Sequence, residues 1–132
     1  MIDAAGGMIP FLCHVFLIFF GGFFGLNLIF NNNFTKNNIG YDSIQAAYMG
    51  RPLGFSMIAG TIMFIATLFQ VGGYDSANEI FTLMFLFTSM AFIYNLLMYL
   101  KILPTHNGEA HELKNAIRPL IPWVVIVIWA LS

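Results

Sequence analysis

The chain has 132 residues, 59% of them hydrophobic and 17% aromatic, and only 8% charged, against roughly 25% charged in soluble globular domains. A chain this small has too much surface for its volume to hide that apolar excess from water, and the same composition excludes disorder. A net charge of −1 leaves no basic footprint for nucleic acid, and the single cysteine, Cys13, permits no internal disulfide.

What remains is an all-α integral membrane protein, read as a single membrane domain over 1–132. A spanning helix takes about 20 mostly apolar residues. Met8–Phe30 supplies 23 without a formal charge, about 34 Å of helix. Asp3 is the only charge ahead of it and there is no basic leader region, so the segment is expected to be a retained first span rather than a cleaved signal peptide. Residues 31–41 (NNNFTKNNIGY) have loop chemistry. Asp42 and Ser43, with Gln45 behind them, suit the start of a short helix, which Pro52 is expected to stop or kink.

The second span is expected over 53–71, followed by a turn at Gly72-Gly73-Tyr74-Asp75. Ser76 and Glu79 form an S-x-x-E capping pattern. The third span then runs over about 77–103, up to Pro104. The last apolar stretch, 120–131, covers only about 18 Å, short of the ~30 Å hydrocarbon core. Upstream, Ala110, Leu113 and Ile117 recur at helical spacing among Glu109, His111, Glu112, Lys114 and Arg118. That pattern predicts an amphipathic interfacial helix over about 109–118, with Pro119 and Pro122 turning the chain inward. The expected fold is a small bundle of four transmembrane helices, the fourth short and kinked. A C-terminal hairpin or re-entrant tail is the alternative.

Charge supports four spans. Lys36 and Arg51 fall between the first and second, and Lys101, Lys114 and Arg118 between the third and fourth. Asp3, Asp75 and Glu79 fall on the opposite side, so the positive-inside rule points both termini away from the cytoplasm. The sequon Asn33-Phe34-Thr35 then lies on the basic side, where glycosylation does not occur.

Helices in lipid associate through small residues. Gly21, Gly22 and Gly25 mark such a face on the first span, and Ser56, Ala59, Gly60 and Thr67 mark one on the second. His14 lies within about 40° of Gly21 and Gly25 around the helix, so it points toward protein. Two roles suit it: ligating a haem or chlorophyll through a ring nitrogen, or bridging helices as a hydrogen-bonded imidazole, which is the favoured reading. On the third span, Asn95 shares a face with Thr88, Ala91 and Tyr99, and its amide suits an interhelical bond. His106, Glu109, His111 and Glu112 have no established metal-ligand spacing and read as a solvated loop. No catalytic constellation appears.

Residues 46–54, Ala46-Ala47-Tyr48-Met49-Gly50-Arg51-Pro52-Leu53-Gly54, are similar to the A-x-Y-x-G-x-x-L-G stretch of small bacterial membrane proteins in the DoxX-like group. The resemblance implies four helices and a long first loop; the Asn-rich loop and Pro52 depart from it. It implies little about activity, since a shared fold does not transfer function.

The function expected from these features is that of a non-catalytic accessory subunit in a larger membrane complex, of the energy-transducing kind (photosynthetic or respiratory). Membrane lipids and other membrane subunits are its expected partners. The alternatives are a stand-alone carrier or channel using the Asn95 face, and a membrane enzyme acting on a lipid or quinone through His14 or His111.

Overall fold

Apolar runs separated by glycine, proline and polar residues become four long helices: α1 (Met8–Phe30), α2 (Ile44–Phe69), α3 (Asn78–Tyr99) and α4 (Lys114–Leu131). These belong to a computed structural model that describes residues 2–34, 44–104 and 112–132, without the side chains of Asn32, Ile44 and Ala47. A single helical turn at Asn32–Phe34 and a 3-10 turn at Val71–Gly73 complete the helical elements, and no strand occurs among the described residues. All four long helices are long and apolar enough to cross a membrane. The chain is therefore a multi-pass membrane protein. Helices satisfy their backbone polar groups internally, as hydrocarbon demands. Their outward side chains include Phe19, Phe23, Phe30, Met49, Ile62, Leu83 and Met90, a surface suited to lipid rather than water.

The chain divides into two compact units, Met1–Ala77 and Asn78–Ser132. In the first, α1 and α2 pack antiparallel: His14 meets Phe64 and Thr67, Gly21 meets Thr61, and Gly25 meets Gly54. The buried positions of α1 are Pro10, Cys13, His14, Leu17, Gly25 and Leu28, a spacing of three and four that keeps one seam against the partner. Pro10 sits in the first turn, where its missing N–H needs no intrahelical partner.

In the second unit, α3 and α4 also run antiparallel. Phe81 stacks on Trp129 with ring centroids 3.8 Å apart, and Phe85 stacks on Trp123 at 5.8 Å. Ala116, Pro122 and Ile126 are buried on α4, and Ile80, Phe81 and Thr88 on α3.

Boundaries differ from the sequence expectation in physically readable ways. α2 is continuous through Pro52, which lacks the amide that would have bonded the Tyr48 carbonyl. The helix ends where Gln70 takes a left-handed conformation (φ 54°), and its N–H bonds the Thr67 carbonyl at 3.3 Å. Glycines at positive φ, Gly72 and Gly73, carry the turn onward. α3 starts just beyond Ser76, with Glu79 in its first turn, where a carboxylate complements the helix dipole.

The stop of α3 precedes Pro104. Lys101 is left-handed (φ 61°), its N–H bonds the Met98 carbonyl at 3.1 Å, and Ile102 bonds Leu97 at 3.0 Å. That is the Schellman pattern of a helix C-terminus.

The largest difference is in α4. Residues 114–118, expected in a separate interfacial helix, are the opening turn of the spanning helix itself, which has 18 residues, or about 27 Å. The helix passes through Pro119 and Pro122, leaving the Asn115 and Arg118 carbonyls without their usual donors. Packing offsets that loss: Ala116 and Ile126 are buried on either side of the proline pair, and Pro122 is itself buried. Residues 109–111 of the expected interfacial helix lie outside the described residues.

Candidate functional site

The polar centre of the first unit is built by α1 and α2 around His14, which is 3% exposed. Its Nε2 lies 2.7 Å from the Phe64 carbonyl oxygen and 3.2 Å from Thr67 Oγ1. A ring nitrogen that close to a carbonyl oxygen must carry the hydrogen and donate it. The Thr67 hydroxyl lies 3.0 Å from the Met63 carbonyl and 3.1 Å from that of Phe64. It donates into its own helix, so its oxygen faces the imidazole N–H as a second acceptor. The Phe64 ring meets the imidazole edge-on, with centroids 5.4 Å apart at 80°. The helical register explains the meeting: Phe64 and Thr67 lie on the same side of α2, and His14 is on the α1 seam.

This geometry bears on the two roles expected for His14. A metal ligand needs a nitrogen lone pair, and a protonated Nε2 aimed at a carbonyl offers none. Haem or chlorophyll ligation does not fit that nitrogen in this arrangement. Joining α1 to the backbone of α2 does fit it.

Below the histidine the helices meet through glycines. A Cβ built on Gly25 would come within 2.9 Å of the Ile58 side chain and 3.2 Å of the Gly54 carbonyl. One built on Gly54 would sit 2.8 Å from Ile29 Cγ1 and 2.9 Å from the Gly25 carbonyl oxygen. On Gly21 the near atom is Thr61 Oγ1, at 2.6 Å. Gly21 and Gly25 thus lie at this close approach of the two helices. Their partners on α2 are Gly54, Ile58 and Thr61. Ser56 lies off that seam, exposed, with its hydroxyl donating to the Pro52 carbonyl at 3.1 Å, and Gly60 is half-buried. Gly54 closes the stretch that resembles the DoxX-like group, but sequence spacing alone does not mark it as the crossing residue.

A ladder of phenylalanines runs beside the seam. Phe16, Phe20 and Phe24 follow one another at one-turn intervals, with centroids 5.8 and 4.7 Å apart, and buried Phe34 packs edge-on against Phe24 at 5.6 Å. The turn at Asn32–Phe34 brings Phe34 back against this ladder. Side chains at i and i+4 share a helix face, and Phe34 covers the ladder's end.

In the second unit, Asn95 is half-buried and donates Nδ2 to the Ala91 carbonyl one turn back, at 2.7 Å. Thr88, fully buried, donates to the Met84 carbonyl at 2.8 Å. An interhelical bond between α3 and α4 joins residues the sequence does not single out: Trp123 Nε1 donates to Ser89 Oγ at 2.8 Å. A half-buried indole N–H stacked beside Phe85 is satisfied by such an acceptor. The presence of two tryptophans on one short span was the only available signal.

No cluster of three or more His, Cys, Asp or Glu suited to a metal occurs among the described residues. His106, Glu109 and His111 lie outside them. No family model, curated protein or solved structure matches the chain.

Proposed function

We propose that the chain serves as a non-catalytic accessory subunit of a larger membrane complex, surrounded by lipid and by other membrane subunits. The observation that carries this reading is how the polar groups inside the spans are used. His14 and Thr67 are engaged with α2 backbone carbonyls, Thr88 and Asn95 with carbonyls of α3, and Trp123 with Ser89. Each of these bonds fixes a helix or joins two. In hydrocarbon such groups are costly unless satisfied, and here satisfaction is structural. The energy-transducing character of the complex and the membership of residues 46–54 in a DoxX-like pattern are parts of the same proposal.

The runner-up is a carrier or channel. Purified protein in sealed vesicles discriminates the two. The subunit reading expects ion and small-solute flux equal to that of protein-free vesicles, whereas saturable or protein-dose-dependent flux would favour the carrier.

We also propose that both termini lie on the non-cytoplasmic side. Arg51 is at the end of the first unit opposite Asp3, and Lys101, Lys114 and Arg118 are at the end of the second opposite Glu79, as the positive-inside rule requires of each pair. Cysteines placed at 75 and 101 should label from opposite faces of sealed vesicles. Labelling from the same face would refute the arrangement.

A further inference from the structure

We draw no further inference here: the strongest candidate, the exposed small-residue face of α2 around Ser56 and Ala59, carries nothing because no feature of the structure shows what covers it.

Discussion

Three glycines of the first unit should respond to alanine in a graded order set by what the new methyl meets. At Gly54 the methyl would lie 2.8 Å from Ile29 Cγ1, 2.9 Å from the Gly25 carbonyl oxygen and 3.1 Å from Leu28 Cβ. A backbone oxygen cannot rotate away, so the helices must separate. Overpacking of that kind costs about 1–3 kcal/mol, against about 0.5–1 kcal/mol returned by alanine's better helix propensity. Gly54→Ala should therefore be clearly destabilising.

At Gly21 the obstacle is the Thr61 hydroxyl, 2.6 Å away. A rotamer change can relieve it at the expense of its bond to the Met57 carbonyl, 2.8 Å long. Gly21→Ala should cost about 1 kcal/mol or less. At Gly22 the nearest atom is Thr61 Cγ2 at 3.8 Å, an ordinary contact, so Gly22→Ala should be neutral or stabilising. Unfolding of each variant in mixed micelles, titrated with a denaturing detergent and followed by circular dichroism, gives the order directly. If Gly22→Ala proved as damaging as Gly54→Ala, or Gly54→Ala cost nothing, the α1–α2 seam would not run through Gly54.

His14→Ala should lower stability by about 1–3 kcal/mol, combining a lost interhelical bond with a small cavity. The visible absorption of the purified protein should not change; loss of an absorption band with the fold retained would restore the cofactor reading. Removing the indole donor with Trp123→Phe, and its acceptor with Ser89→Ala, should show a coupling of about 0.6 kcal/mol in a double-mutant cycle. Strictly additive effects would mean the two side chains do not bond. Lys101→Gly should raise the unfolding midpoint by the equivalent of about 1 kcal/mol, because the left-handed backbone there favours glycine. A lower midpoint would show that the lysine side chain contributes more than the backbone conformation costs.

The four spans were legible because their signal is summed over many residues: a charge-free run such as Met8–Phe30 has few other solutions. His14 was legible as a residue facing protein, since an imidazole on a glycine face is visible from helical period alone. Its acceptors were not, because pairing α1 with α2 at a particular register depends on where Gly54 lets the backbones touch. The same limit hid Ser89 and Trp123, whose bond crosses from one helix to another. Helix ends are less legible where proline is weighed alone. Pro52, Pro119 and Pro122 all lie inside helices, and α3 stops at a backbone reversal ahead of Pro104. Local rules for proline price one lost hydrogen bond, while burial of Ala116 and Ile126 acts over the whole helix.

An accessory subunit, as proposed for this chain, works as part of something larger. Its native mass, after extraction from its own membrane in a mild detergent, tests this most directly. The chain alone has a mass of 14.8 kDa. An accessory subunit should migrate in an assembly several times that mass with chemically different membrane proteins, and collapse to the free chain when a harsher detergent is substituted. Migration of the chain alone, or only with copies of itself, in every mild detergent that preserves its helical fold would contradict that role.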